Sequence, residues 1–430
     1  MTKFTRPLMF ALLLCFGAGA TLAQTRAYVV NAHSDSVSVI DTATFSVIAT
    51  IPVGSSPSDV AVTPNGRFVY VANFFGNSVS VISAATNTVV ATIPMGTFVR
   101  GMAMNPNGSF AYVLGGSSAN ISVIDTATNT VVSTIPVSSA SKLAIAPSGN
   151  LGYVTHGAFI KGVTVINTAT NSVVTHIPIP VDVTDAPAVT PDGAFLYVTC
   201  QSFSTGPKLA VIDTATNTLV ALVPLPGNFA PGIAITPNGA LAYVASNGGG
   251  VCCDSGRLPS SVSVIDTATN TEVANVPFGS LSPLAVAVTP DGAFVYVTDL
   301  SENTVRVIST TSNFVVAVLP VGLFPQGIAI GTFVPEPDPE PEPDPIESLT
   351  EQVEALIAGG ALTQNQGGGL IDKIQEISAK IDAGQTAAAC NQVVGLINQV
   401  NGFISNGILT PAQGQPLIDT ANALKTNLGC

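Results

Sequence analysis

From Thr25 to Phe333 apolar and polar residues alternate in short runs dominated by Val, Ile, Thr and Tyr. A period of two over four to eight residues is the mark of a half-buried β-strand. Beyond residue 346 the period changes. Leu349, Val353, Leu356 and Ile357 recur at helical spacing, as do Leu370, Ile374, Ile377 and Ile381. Val393, Leu396, Ile397, Val400 and Ile404 make a third run, and Leu417, Ile418, Ala421 and Leu424 a fourth. Glycines and Pro411 separate these runs, so the pattern predicts about four amphipathic helices in a small bundle.

The strand-rich part repeats itself. All seven tyrosines, at 28, 70, 112, 153, 197, 243 and 296, are followed by Val. A word close to V-I-D-T-A-T-N-T also occurs seven times, with its Ile at 40, 82, 124, 166, 212, 265 and 308. A period near 42 residues means a stacked or radial array of one unit. Each unit reads as an inner strand (Val60 to Thr63), a Pro-Asn-Gly turn, the Tyr strand (Phe68 to Ala72), a third strand (Ser78 to Ile82) and a fourth (Thr88 to Pro94). Four-stranded units at this period are propeller blades.

Alanines at 61, 103, 144, 188, 234 and 287 each precede a Tyr by nine residues. Tyr28 lacks such an alanine, and Ala329 has no Tyr after it. The segment 327–331 therefore supplies the inner strand of the blade begun by Tyr28. That closes the ring and removes exposed sheet edges. The predicted fold is mainly β: a seven-bladed propeller closed by its two ends, followed by the helical bundle.

The boundaries read as a leader over 1–23, the propeller over 24–333, a linker over 334–346 and the helical part over 347–430. Lys3 and Arg6 precede an apolar run and then small residues, the pattern of a secretory signal peptide cut after Ala20 or Ala23. Leu14 stands where a lipidation signal at Cys15 would need a small residue. The linker alternates Pro with Asp or Glu, which favours an extended spacer of about 35 Å. No run after the leader is long and apolar enough for a membrane span. The chain is thus expected to be exported, to the periplasm, the cell surface or beyond. Net charge is −13 with no basic face, which argues against nucleic acid as a partner. Only 9% of residues are charged, so the surface must be coated with Ser, Thr and Asn.

The strings YVAN, YVTH, YVTC and YVTD, with SVSVIDTATNTVV, resemble the YVTN family of β-propeller repeat proteins over roughly residues 26–333. That resemblance implies a propeller and export more than chemistry. The stretch GLINQVNGFISNGILTPAQGQPLIDTANAL is similar to the FIMAH-type helical module of secreted bacterial proteins.

Function is less legible. The Tyr-to-Ile spacing is 12 in four units but 13, 15 and 22 in those of Tyr153, Tyr197 and Tyr243. The extra residues fall between the second and third strands, on one face of three consecutive blades. Loops on a rigid scaffold are where binding residues gather. The position three past each Tyr is expected to form a ring there: Asn31, Asn73, Gly115, His156, Cys200, Ser246 and Asp299. His156 and Cys200, with Cys252 and Cys253 in the longest loop, could hold a metal. Export instead favours a disulfide from Cys200 to Cys252 or Cys253, or a vicinal Cys252–Cys253 bond. An antiparallel helix pair would bring Cys390 to Cys430, a closure worth ~4 kcal/mol on a chain-entropy estimate.

The aspartates at 41, 125, 213 and 266 precede Thr-Ala-Thr and read as turn-formers, a job Asn167 can share. His33 and His176 have no evident partner in the sequence. No Ser-His-Asp spacing, phosphate loop or carboxylate cluster is present, so no catalytic residue and no cofactor are expected. The reading is a binding or interaction propeller for a protein, glycan or small molecule. A metal-assisted hydrolase or lactonase-like enzyme is the alternative, and a structural envelope component the third.

Overall fold

A computed structural model describes residues 23–116, 120–157, 160–248, 259–279, 281–333 and 344–430. The expected leader before residue 23, most of the expected acidic linker, and Cys252 and Cys253 lie outside the described residues. The chain divides into two compact units that part at Pro335 and Glu336.

The first unit is seven four-stranded antiparallel sheets. We number the blades from residues 57–94 (blade 1) through 99–136, 140–177, 183–224, 229–279 and 283–320 (blade 6). Blade 7 combines the inner strand Pro325–Phe333 with Gln24–Asn31, Ser36–Asp41 and Ser46–Pro52. Val29 pairs with Ile328 and Tyr28 with Ala329, so one sheet is built from both ends of the unit. The ring is closed.

The strands run slightly longer than the pattern predicts. The inner strand of blade 1 is Pro57–Val62 and its Tyr strand is Phe68–Asn73. The predicted ring position Asn73 is therefore the last residue of a strand rather than part of a loop.

Each Tyr is buried between blades, and four of them reach the turn between the third and fourth strands of the next blade. Tyr70 donates to Asn129 Oδ1 at 2.6 Å, Tyr197 to Asn270 Oδ1 at 2.7 Å and Tyr243 to Asn313 Oδ1 at 2.9 Å, while Tyr112 donates to the Thr168 carbonyl at 3.2 Å. Burial pushes the Tyr70, Tyr197 and Tyr243 phenols up to about 12, so they stay donors through mildly alkaline pH. The acceptor asparagines sit at positive φ, which Asn tolerates better than most residues. The Asp before each turn is structural, as expected: Asp41 Oδ1 accepts from the N–H groups of Ala43 and Thr44, and Asp125 and Asn167 repeat the pattern.

Blade 7 breaks the rule. Phe45 stands where the other six turns carry Asn, at φ 51°, and the buried Tyr296 hydroxyl has no partner. Phe45→Asn should relieve about 1–2 kcal/mol of left-handed strain and pair a hydroxyl worth about 1–3 kcal/mol. Against this stands loss of the edge contact with Phe294, 5.0 Å between centroids, at about 0.5–1.5 kcal/mol plus part of the Phe area. We expect a net gain near 1 kcal/mol in chemical denaturation, absent in a Tyr296→Phe background.

In all seven blades the fourth strand carries a β-bulge against the third. The unpaired residues are Ile48, Val90, Val132, Val174, Val220, Val273 and Val316, between 45% and 56% exposed. Bulges interrupt an edge ladder and hinder pairing with another chain. The outer edges, rich in Val and poor in charge, are protected in this way.

The second unit has four helices: α1 (Pro345–Ala358), α2 (Gln364–Asp382), α3 (Thr386–Ser405) and α4 (Pro411–Asn427). Helix α1 begins two residues before the predicted boundary, because Asp344 caps it and Pro345 fits the first helical position. Thr363–Gln366 and Thr410–Gln413 form capping boxes at α2 and α4. Leu349, Val353, Leu370, Ile374, Val393 and Val400 are core. A Cys390–Cys430 disulfide, with Cα atoms 6.0 Å apart, ties the start of α3 to the end of α4. None of the described helices is long and apolar enough to cross a membrane.

Candidate functional site

Antiparallel alternation puts two sets of connections on one face of the propeller. These are the loops between second and third strands and the passages from one blade to the next. The three lengthened connections open onto this face. They differ in form: in blade 4 the extra residues extend a hairpin, Phe195–Ser202 with Gly206–Asp213, rather than make a loop. Most of the blade 5 connection lies outside the described residues.

The expected ring is not a row of side chains offered to solvent. Asn31, Asn73, His156, Cys200, Ser246 and Asp299 are all 2% exposed or less. Asn31 Nδ2 donates to the Ser36 and Ser38 hydroxyls at 3.2 and 3.0 Å, and Asn73 repeats this with Ser78 and Ser80. These side chains fill the space left by Gly322 and Gly54, where a Cβ would come within 2.6 Å of them. Ser246 is too short for the same bridge, and its hydroxyl and that of Ser263 go unpaired. Asp299 Oδ1 accepts from the Ser282 and Ser301 N–H groups at 3.1 Å, while Arg306 Nε lies 3.6 Å from Oδ2. The ring positions organise blade corners beneath the face.

Of the four metal candidates, Cys252 and Cys253 lie outside the described residues, and His156 and Cys200 are described. Cys200 is a free, buried thiol packed among blade 3 and blade 4 aliphatics, and burial pushes it up to about 12. Such a thiol is a poor ligand and a poor nucleophile at neutral pH. Both ring nitrogens of His156 are engaged, by the Ser138 carbonyl at 3.0 Å and Thr164 Oγ1 at 2.8 Å. Among the described residues no three His, Cys, Asp or Glu side chains gather as a metal site. The disulfide partners expected for Cys200 lie outside the described residues.

What the ring reading missed stands on the inner strands. Among the described inner strands the ionisable residues are Asp59, Arg100, Lys142 and Asp185, from four consecutive blades. The matching positions elsewhere are Gly, Ala, Pro, Leu or Gln. These charges lie two or three residues before the marker alanine, near the strand starts and so toward the lengthened face.

Asp59 Oδ2 accepts the Met102 N–H of the next blade at 2.9 Å, and Oδ1 the Val60 N–H at 2.9 Å. Burial raises the Asp59 carboxyl above the ordinary range, with Lys142 and these two N–H groups opposing. Asp185 is likewise raised by burial, opposed by Lys142 and by the Ser141 hydroxyl. One lysine thus acts on two carboxyls that retain protons more readily than usual. Their position two or three residues before the marker alanines was the signal that could have found them.

Aromatic side chains also stand on the lengthened face. Phe74 stacks on Phe98 at 5.2 Å and meets Phe75 edge-on at 4.8 Å, with the Arg100 guanidinium 5.7 Å from the Phe74 ring. Phe75 is 62% exposed and Phe203, at the blade 4 hairpin tip, 75%. His33, unpartnered in the sequence reading, stacks on Phe324 at 4.4 Å. On the opposite face, grooves between blades are lined by turn residues such as Pro64, Asn107 and Asp125, the last committed to its own turn.

The family model described as "Lactonase, 7-bladed beta-propeller" matches residues 15–139 of this chain. The match covers less than half of it and supports the propeller. No curated protein sequence matches. Among solved structures, hydrazine synthase of Kuenenia stuttgartiensis is similar with a TM-score of 0.58 and 20% identity, over 66% of this chain and 96% of that one. A functionally unknown protein from Desulfotomaculum acetoxidans gives 0.59 and 19%, over 72% and 99%. Dihydro-heme d1 dehydrogenase NirN, in complex with DHE, gives 0.53 and 17%, over 71% and 74%. At these identities the likeness is one of fold.

Proposed function

We propose that this chain is an exported binding propeller of the YVTN type with a FIMAH-like helical module. In this reading a small polar ligand sits at the channel mouth on the lengthened face. The observation that carries it is the charge placement: Lys142 acting on the Asp59 and Asp185 carboxyls, with Arg100 the one other charge in a channel wall otherwise built from neutral, mostly small residues. Buried charge is costly and persists where it is paired or used. The aromatic cluster of Phe74, Phe75 and Phe98 would hold the apolar part of the ligand.

The test is a thermal-shift screen of small polar compounds, sugars and lactones. A ligand at 100 times its Kd stabilises by ~2.7 kcal/mol. We expect at least one compound to raise the wild-type melting temperature and to lose that effect in Lys142→Met and Asp185→Asn. Compounds that shift wild type and both variants equally would remove the channel from the reading.

The match to the lactonase family model favours a second reading, a lactone-hydrolysing enzyme. A carboxyl raised above its ordinary range by burial is better suited to general acid work than a free one. Steady acid release from a lactone, lost in Asp59→Asn and Asp185→Asn, would establish it over simple binding.

A further inference from the structure

Arg100 is a cation without an anion. It stands on the inner strand of blade 2, exposed, with its guanidinium 5.7 Å from the Phe74 ring centroid. Among the described residues that guanidinium makes no hydrogen bond and no ion pair. Asp59, which lies against the adjoining Gly101, is engaged elsewhere. Its two oxygens accept the Met102 and Val60 N–H groups, and the cation that acts on it is Lys142.

An aromatic corner is built around this charge. Phe74 and Phe98 stack at 5.2 Å with their planes 15° apart, and Phe75 meets both rings edge-on, at 4.8 and 5.9 Å. Backbone bonds hold the corner: Phe74 N–H donates to the Ser56 carbonyl at 2.9 Å, and Gly116 N–H to the Phe98 carbonyl at 2.6 Å. Gly116 leaves the room, since a Cβ there would come within 3.2 Å of Phe98 Cβ and 3.4 Å of Arg100 Nε. Phe75 and Phe98 remain exposed. Open apolar surface and an unpaired guanidinium thus share one corner of the lengthened face.

We propose that this corner binds a single-chain carboxylate, its head on Arg100 and its alkyl chain along Phe75 and Phe98. The inference rests on the ligand reading above and names the ligand. A guanidinium offers a planar fork that matches a carboxylate in two parallel bonds, and one positive charge suits a monoanion. The chain removes exposed aromatic surface from water. A neutral head would leave the guanidinium covered and unpaired, which is costly. The other charges of the channel wall act on one another, and Arg100 is the open one.

Calorimetry of the full chain with butanoate, hexanoate and octanoate, each below its micelle-forming concentration, tests this. Affinity should rise by up to about fourfold per added methylene. Octanoate should bind about tenfold tighter than 1-octanol. Arg100→Gln should erase that preference for acid over alcohol, and Arg100→Lys, which keeps the charge but not the fork, should retain part of it. Phe75→Ser should flatten the chain-length series and leave the preference. Both positions are exposed, so these variants should fold. Lys142→Met separates the corner from the channel. Octanoate binding that persists there and is lost in Arg100→Gln upholds the corner even where the channel holds no ligand. Equal binding of octanoate and octanol, a flat wild-type series, or unchanged octanoate affinity in Arg100→Gln would each overturn the corner and leave the Lys142 reading to its own test.

Discussion

Deleting residues 325–333 should leave the propeller unable to fold cooperatively, although the segment is nine residues of a unit exceeding three hundred. These residues are the inner strand of blade 7, paired with Gln24–Asn31 from Gln24↔Phe333 to Asn31↔Pro325. Without them the first strand of the chain becomes a bare edge, and Asp59 loses the blade 7 backbone that packs against it at Gly327. The cluster holding Ala27, Val29, Tyr296, Val305 and Val307 loses Ile328 and Ile330. Net stability of a domain is only about 5–15 kcal/mol, and loss of a strand buried in the ring exceeds that margin. The expected result is a broad, low-amplitude melt and rapid proteolysis. A circular permutant that joins Phe333 to Gln24 through a short glycine-containing turn keeps every pairing and should melt near wild type. A deletion protein with a sharp wild-type transition would show that closure contributes little.

The same closure was legible from spacing because the repeat is nearly regular. A missing alanine before Tyr28 and a missing Tyr after Ala329 leave one arrangement that balances. What failed to read through was the direction of side chains at blade corners. Asn73 is three residues past Tyr70, which places it at the end of the strand but says nothing of whether it turns out or in. It turns in because Ser78 lies opposite it in register, Ser80 offers a second hydroxyl two residues on, and Gly54 makes room. The outer bulges are hidden for a different reason: two adjacent valines in a run such as TVVATIP read as plain strand. Their cause lies in pairing with the third strand. The channel charges were open to inspection, yet single residues in otherwise neutral inner strands carry little weight until the ring gathers them.

Gly232→Ala should be the most damaging of the inner-strand glycine substitutions, by about 3 kcal/mol. A Cβ there would lie 2.2 Å from the Leu284 carbonyl oxygen and 3.2 Å from Ala285 Cα, backbone of the neighbouring blade. The neighbour cannot rotate away, so the blade 5 and blade 6 inner strands must separate near the axis. Gly331 is confined by a side chain, 2.5 Å from Val62 Cγ1, Gly327 by backbone, 2.9 Å from Asp59 Cα, and Gly101 is easier, at 3.3 Å from the flexible end of Leu114. Gly157 has nothing within 4 Å and serves as the control in the same unit. In the helical unit Gly368 and Gly402 also face open space, and alanine there should stabilise by up to about 1 kcal/mol each. The same change thus carries opposite signs in the two units, because one glycine admits a neighbouring backbone and the others only weaken a helix. Urea unfolding followed separately for the two units reads the series. Equal midpoints for Gly232→Ala and Gly157→Ala would mean that the inner strands are not in close contact around the channel.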